Sequence, residues 1–246
     1  MNQFSRSARE QQIFESLIYP GSYPDNPVFI NKLNITDPGK LEQAERYHGR
    51  QALKAGLPEE AYRFDVTGLK AIHKTLLSEI YTWAGEFRSY TTGRGPAPFA
   101  VPEYIEPGLN KLFEKLEAQN HLVGRDPKAF AASAAHYVNE INAIHPFIDG
   151  NGRTQRIWLR NLGEKAGYDV RFRVGDKDAW NAASAQGFYS SDEQMAAFIE
   201  DRLVSLEGRE QQSEASARLE NYGEPGWDVK NGDRSKDDDD DNGHEM

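Results

Sequence analysis

The chain contains no cysteine among its 246 residues. Disulfides, zinc–thiolate sites and a cysteine nucleophile are therefore excluded, and the absence fits a reducing compartment. No run approaches the roughly 18 apolar residues of a membrane-spanning helix, and the first residues lack the apolar stretch of a secretory signal. We therefore expect a cytoplasmic protein with no membrane partner.

Basic charge is also scarce. The net charge is −10, but residues 207–246 hold 13 Asp or Glu against 5 Lys or Arg, which leaves 26 acids against 24 bases in the other 206 residues. An acidic run of this kind is typical of a solvated, disordered end. A nearly neutral body without a basic stripe argues against direct nucleic-acid binding. The sequence therefore predicts one folded domain over residues 1–206 and an acidic extension over residues 207–246.

Apolar residues recur at helical spacing along most of the chain, which predicts helices within segments 65–85, 106–119, 126–144, 153–167 and 191–206. Asp126 followed by Pro127 is typical of a helix start, and Ser191 with Gln194 resembles a capping box. The exception is "EFRSYTTGRGPAPFAVPEY", where β-forming residues, glycines and prolines favour an extended hairpin or flap over about residues 88–101. The predicted fold class is all-α, with a small β-hairpin.

The segment "HPFIDGNGRTQR", residues 145–156, interrupts the helical pattern with charge and glycine. Pro146 discourages helix continuation through His145. The glycines allow a ligand to approach the backbone closely at the N-terminus of the next helix, where amide donors and the positive dipole end gather. Arg153 and Arg156 lie three positions apart and therefore share a helical face. The pattern predicts a pocket for an anion, most naturally a polyphosphate.

Two further residues give this pocket a chemistry. A bare carboxylate at Asp149 would repel phosphate, but Mg²⁺ binds through one or two carboxylates together with phosphate oxygens. His145 carries the side chain of this loop that most readily accepts a proton near neutral pH. An anion pocket, a metal carboxylate and a base together indicate attack by a hydroxyl on a phosphorus centre.

The same twelve residues match the pattern H-P-F-x-[D/E]-G-N-G-R-x-x-R at every specified position, and the chain resembles the Fic (filamentation induced by cyclic AMP) family. The stretches "RFDVTGLKAIHKTLLSEIYTWAGEFR" and "FAVPEYIE" are similar to its toxin-type members, so the resemblance covers roughly residues 15 to 205. It implies a Fic-type helical bundle with a flap over the active site. It also implies AMPylation, the transfer of AMP from ATP to a Tyr, Thr or Ser hydroxyl of a target protein.

Position by position, the resemblance implies His145 as the general base and Asp149 as the ligand of Mg²⁺ across the α- and β-phosphates. The residues that it implies around the phosphates of ATP are Gly150, Asn151 and Gly152 at the α-phosphate, Arg153 at the β-phosphate and Arg156 at the γ-phosphate. A hairpin of this kind is expected to align the target segment by main-chain pairing. Its expected contacts are Thr92 and Gly93 with the nucleotide, and Thr91, Arg94, Gly95 and Phe99 with the target.

The acidic extension contains "SARLEN", residues 216–221, which fits the inhibitory pattern [S/T]-x-x-x-E-[G/N] of Fic enzymes. The resemblance implies an inhibitory helix near 213–221, with Ser216 and Glu220 as its pattern residues and Glu220 paired with Arg156. In toxin-type members this helix usually belongs to a separate antitoxin, so an antitoxin is the alternative partner. Such toxins commonly modify type II topoisomerase subunits, which makes such a subunit the expected target class.

Two alternatives stay open at the level of sequence. The transferred group could be UMP, GMP or phosphocholine, because the base pocket cannot be reconstructed from residues alone. The chain could instead be a silenced toxin that acts mainly as the binding partner of an antitoxin. Outside the motif, His73 and His136 lie within predicted helices without companion residues, and we predict that both are structural.

Overall fold

The computed structural model describes residues 21–206 apart from 24, 25, 27, 95 and 96. This part of the chain forms seven α-helices: α1 (Pro38–Ala55), α2 (Val66–Leu77), α3 (Pro102–Ala118), α4 (Pro127–Ile144), α5 (Asn151–Lys165), α6 (Asp176–Tyr189) and α7 (Glu193–Glu200). Two 3₁₀ turns lie at Glu59–Tyr62 and Asn120–Leu122. None of the helices in the described ranges is long and apolar enough to cross a membrane.

Four short strands pair in two antiparallel two-stranded sheets. Strands β1 (Gly93–Arg94) and β2 (Ala97–Pro98) form the flap, with Gly93 opposite Pro98. Strands β3 (Tyr168–Val170) and β4 (Leu203–Ser205) pair with Asp169 opposite Val204. The predicted all-α bundle with a small β-hairpin is confirmed, whereas the second sheet, whose two strands lie far apart in the chain, was not predicted.

Helix α4 lies at the centre of the bundle and contacts α3, α5, α6 and α7. It is buried over much of its circumference, and its alanines at 131, 134 and 135 let neighbouring helices approach closely. Its ends are fixed by sequence. The Asp126 carboxylate accepts a hydrogen bond from the Ala129 N–H (2.9 Å), and Pro127 occupies the first turn, where an amide donor is not needed.

Two predicted helices end earlier than their apolar spacing suggests. Helix α2 ends at Leu77, and Ile80 is buried in the turns that follow it. The predicted helix over 191–206 was wrong beyond Glu200. The N-cap residue of α7 is Asp192, which makes no side-chain cap hydrogen bond, and not Ser191 of the predicted capping box. Because short apolar runs fit both a helix and a strand, the pairing with β3 decides the conformation of residues 203–205.

Gly68, in the first turn of α2, offers a test of this packing. A Cβ atom built at this position would lie 1.8 Å from the Arg63 carbonyl oxygen, a main-chain atom that cannot rotate away. We expect Gly68→Ala to lower the free energy of unfolding by about 3 kcal/mol, as overpacking does, measured by urea denaturation. Gly108→Ala in α3 is the matched control, because its nearest neighbour, Ile144 Cδ1, would lie at 3.4 Å. Equal stability losses in the two variants would contradict this packing.

Candidate active site

The loop between α4 and α5 begins and ends in left-handed backbone conformations. His145 caps α4 at φ 50 and ψ 62, and its N–H donates to the Ile141 carbonyl (2.9 Å). Gly150 precedes α5 at φ 76. The conformation favours glycine at this position, and a Cβ atom there, 2.6 Å from Leu77 Cδ1, would also require the Leu77 side chain to shift.

The side chain of Asn151 closes this loop. Its Oδ1 accepts from the Phe147 N–H (3.0 Å), and its Nδ2 donates to the Phe147 carbonyl (2.8 Å). The Phe147 ring is buried and anchors the loop in the core. Because both side-chain polar groups of Asn151 bind within the loop, this residue offers a phosphate its main-chain N–H.

His73 of α2 supports the loop from below. Its Nδ1 accepts from the Gly85 N–H (2.8 Å), so its Nε2 must carry the proton that is shared with the Asp149 carbonyl oxygen (2.9 Å). Its ring stacks on Phe147 with 3.8 Å between centroids. Burial lowers the pKa of His73 to about 4, which keeps the imidazole neutral. His73 therefore has the predicted structural role, and it fulfils this role by contacting the loop of the site itself.

The imidazole of His145 is held on one nitrogen and on one face. Its Nδ1 lies 3.3 Å from the Asn142 carbonyl oxygen, and a carbonyl can only accept. The proton is therefore on Nδ1, and Nε2 carries the lone pair that a general base needs. The ring of Phe99 stacks on the imidazole at 3.9 Å with 3° between the planes.

Phe99, which is predicted to contact the target, packs within the protein in this structure. Its N–H donates to the Thr92 carbonyl (2.9 Å), which closes the flap, and its ring is buried between His145 and Phe188. The sequence could not reveal this, because an aromatic residue between prolines fits an exposed clamp and a buried one equally well.

A pocket of about 350 Å³ opens at the start of α5. It brings together five of the predicted site residues, Asp149, Gly150, Gly152, Arg153 and Arg156. Its other lining residues come from α1, α6, α2 and α5: Glu42, Glu45, Arg46, Gly49, Arg50, Leu53, Lys177, Asn181, Leu76 and Ile157. The prediction that the motif forms one anion-binding concavity agrees with this geometry.

Charges in the pocket are arranged around Arg153. Its guanidinium lies 2.7 Å from Glu45 Oε2 and 3.4 Å from Asp149 Oδ2. Burial alone would lower the pKa of Arg153, but these two carboxylates hold it above its ordinary value. The Tyr81 hydroxyl donates to Glu45, and burial with that carboxylate raises the pKa of Tyr81, so the tyrosine stays a donor. An incoming phosphate would therefore compete with Glu45 for Arg153.

Arg156 lies deeper in the same pocket. It is 6% exposed, and its guanidinium carbon lies 5.4 Å from the centroid of the Trp180 ring on α6. Such a cation–π contact restrains the long side chain within the pocket. Glu45, Tyr81 and Trp180 were not predicted, because no local motif marks a buried carboxylate or ring that another helix supplies.

The structure describes most of the predicted flap residues. Thr91 is exposed and Thr92 is half-buried, and Gly93 and Arg94 form β1. The flap meets the motif through Phe99 on His145 and through the Ala100 N–H, which donates to the Ala143 carbonyl (3.3 Å). Gly95, Ser216 and Glu220 lie outside the residues that the structure describes.

Asp149 is the carboxylate that a metal would use. Its Oδ1 accepts from the Gly150 N–H (2.6 Å), its side chain is 47% exposed, and it lines the pocket. Among the described residues, no three His, Cys, Asp or Glu side chains form a metal cluster. One carboxylate beside a phosphate pocket fits Mg²⁺, which shares its coordination with phosphate oxygens and water.

Comparison with known proteins places this geometry in a family. A model of the Fic/DOC family matches residues 63–162. A probable protein adenylyltransferase of Sinorhizobium fredii is 38% identical over 163 residues, covering 66% of this chain and 82% of that protein. The probable protein adenylyltransferase Fic of Escherichia coli is 37% identical, covering 68% and 84%. The protein adenylyltransferase VbhT of Bartonella schoenbuchensis is 31% identical, and this chain spans 39% of its length.

Solved structures give the same result for the fold. The N-terminal Fic domain of a Bep effector protein of Bartonella quintana, solved with bound ADP, superposes with a TM-score of 0.68 at 30% identity. The match covers 75% of this chain and 94% of that domain. BepC of Bartonella tribocorum, solved with bound AMPPNP, superposes with a TM-score of 0.66 at 26% identity, covering 74% and 95%.

The buried, neutral His73 predicts a pH dependence of stability. Its pKa is about 4 in the folded chain and near the ordinary 6.5 when unfolded, so the unfolded chain binds the proton first as the pH falls. This contribution is complete above pH 6.5 and is lost between pH 6.5 and 4, by about 3 kcal/mol in the free energy of unfolding.

We expect His73→Gln to flatten this part of the profile, since glutamine can accept from Gly85 and donate to Asp149 without titrating. Urea denaturation at several pH values measures it. The control is His136→Gln, which removes an exposed histidine paired with Asp192. If the His73→Gln profile keeps the slope of the unaltered chain, His73 is not the buried neutral group described.

Proposed function

Because this chain belongs to the Fic/DOC family, we propose that it is a protein adenylyltransferase, which moves AMP from ATP to a hydroxyl of a target protein and releases pyrophosphate. The family, the fold and the enzyme class agree with those of relatives whose length this chain mostly covers. The observation that carries the proposal is a single loop with a base at one end, His145, and an anion pocket at the other, beside Arg153 and Arg156.

The donor is held by its phosphates. The N–H groups of the first turn of α5 and the positive end of its dipole attract the α-phosphate region near Gly150 and Gly152. Arg153 takes the β-phosphate in exchange for part of its pairing with Glu45, and Arg156 takes the γ-phosphate. Each step replaces a contact inside the protein with a charge-assisted one to the nucleotide.

The reaction is an in-line displacement at the α-phosphorus. The target hydroxyl forms the new P–O bond while its proton moves to Nε2 of His145, and the bond to the β-phosphate bridging oxygen breaks. The positive charge that forms on the imidazole is supported by the Asn142 carbonyl at Nδ1–H. Catalysis therefore rests on positioning and on neutralising phosphate charge.

Asp149 would hold Mg²⁺ against the α- and β-phosphates, and its exposed carboxylate supports this assignment. When bound, Mg²⁺ would neutralise charge that develops on the departing pyrophosphate. Asp149 Oδ2 also lies 3.4 Å from Arg153, so this carboxylate contributes to keeping the arginine aligned.

The target is proposed to dock along the flap by strand addition, using the main chain of residues 91–95. Thr92 and Gly93 would face the nucleotide, and Thr91, Arg94 and Gly95 would face the target. Phe99 would act on His145, on which it stacks, and contact the target only through that ring. A type II topoisomerase subunit is the proposed target class, and the cytoplasm, which supplies ATP and suits a cysteine-free chain, is the proposed location.

Residues 1–206 are proposed to carry the activity, and residues 207–246 are proposed to regulate it. In the proposed resting state the Glu220 carboxylate pairs with Arg156 and so occupies the γ-phosphate position. A separate antitoxin that supplies the same carboxylate is the competing explanation. Transfer of UMP, GMP or phosphocholine is the competing chemistry, and the mass gained by a modified target protein distinguishes each of them from AMP.

We expect His145→Ala to lower the transfer rate by about 10²- to 10⁴-fold, since it removes the base. Its ATP affinity should stay near normal, because the phosphate pocket is built from other side chains. Labelled ATP with host lysate measures transfer, and calorimetry measures binding. His136→Ala is the control, as His136 is exposed on α4 and pairs with Asp192. A His145→Ala protein that labels targets at the normal rate would refute the assignment.

We expect Glu220→Gly to raise the transfer rate by about tenfold or more, if the tail holds nine-tenths of the molecules in a resting state. Glu214→Gly is the matched control, since it removes one negative charge from the same segment outside the pattern. Equal rates in the two variants and the unaltered chain would leave the tail without an inhibitory part. The assay is the same transfer of labelled ATP.

A further inference from the structure

Arg88 is a buried cation that the proposed reaction does not use. It lies between α2 and the flap and is 2% exposed. Its guanidinium donates to four main-chain carbonyls. The acceptors are Tyr90 (2.7 Å) and Ala100, on the two sides of the flap, and Ile144 (3.0 Å) and His145 (2.7 Å), at the end of α4.

These contacts answer an electrostatic need at the end of α4. The last carbonyls of a helix lack partners within the helix and carry the negative end of its dipole. A guanidinium there satisfies the carbonyls of Ile144 and His145, and the carbonyls in turn replace the water that the cation has lost. The main chain reinforces the join, since the Arg88 N–H donates to the Pro146 carbonyl (2.9 Å).

The planar shape of the group makes it a connector. Arginine presents five N–H donors in a rigid fork, so fixing two of these donors on the carbonyls of Ile144 and His145 fixes the direction of the others. Those others reach Tyr90 before β1 and Ala100 after β2. The flap and the peptide that carries the general base are thereby bonded to one rigid group.

We propose that Arg88 is a positioning residue that couples the flap to His145, so that the surface that docks the target and the base that deprotonates it move as one unit. The inference rests on the proposed function and goes beyond it, because it assigns a role to a residue outside the motif and the pocket. Arg88 holds the left-handed peptide of His145, while Phe99 and Asn142 hold its ring.

If Arg88 couples the flap to His145, its loss should change kcat but not the KM for ATP. The pocket for the phosphates is lined by α1, α5, α6, Leu76 of α2 and the second half of the loop, whereas Arg88 makes its contacts at the first half of the loop. Loss of the guanidinium fork should therefore reduce kcat and raise the KM for the target protein, while the KM for ATP stays nearly constant. A residue that only stabilised the fold would lower the amount of active protein and leave both constants unchanged.

The test is Arg88→Lys, which keeps the charge but offers a point donor in place of a planar fork. We expect kcat per folded molecule to fall at least about tenfold, since small misplacements of reacting groups cost up to about a hundredfold. The KM for ATP should change by less than about threefold. Arg202→Lys is the burial-matched control, because Arg202 is also buried but binds Asp176 and the Phe198 carbonyl. Unchanged kcat in Arg88→Lys would overturn the proposal.

A second readout does not depend on activity. Nitrogen-15 NMR of the histidine rings should show His145 protonated at Nδ1 in the unaltered chain and a mixture of tautomers in Arg88→Lys. If the unaltered chain transfers nothing, the proposed function fails, whereas identical tautomers in both proteins would overturn the coupling. Should Arg88→Lys not fold, hydrogen exchange of the Arg88 guanidinium in the unaltered chain decides. Slow exchange is expected, and exchange as fast as that of exposed arginines would overturn the proposal.

Discussion

The site depends on a non-glycine residue held in the left-handed region of backbone space. His145, at φ 50, turns the chain sharply out of the central helix, and such a conformation costs about 1 to 3 kcal/mol unless its surroundings enforce it. The enforcement comes from three directions: the Arg88 guanidinium on its carbonyl, the Ile141 carbonyl on its N–H and the Phe99 ring on its side chain. The strain is useful because it puts the imidazole and the start of α5 at opposite ends of one short loop.

The rest of the loop is also fixed by a few hydrogen bonds. Asn151 binds both main-chain groups of Phe147, and His73 fixes the Asp149 carbonyl from below. These buried polar groups are satisfied within the protein, so the loop is organised before a ligand arrives. The "DGNG" segment is therefore held in place by the protein itself, and Gly150 lies close to side chains of α2.

Sequence predicted what is local and missed what is brought together by folding. The periodicity of residues 126–144 gave the central helix, and the twelve-residue motif gave the pocket residues of α5. The burial of Glu45 and Arg88 was not predicted, because no local sequence pattern reveals that a charged residue in a polar segment is buried. The strand at 203–205 was not predicted, because its apolar spacing also fits a helix. Only its pairing with the strand at 168–170 decides between strand and helix.

The central claim is that this pocket grips the β- and γ-phosphates of ATP through Arg153 and Arg156. Isothermal titration calorimetry of the full chain, with Mg²⁺ and either ATP or AMP, tests it most directly. Because hydrogen bonds to charged groups contribute about 1.5 to 3 kcal/mol each, ATP is predicted to bind at least about 100-fold more tightly than AMP. Equal affinities for the two nucleotides would contradict the account.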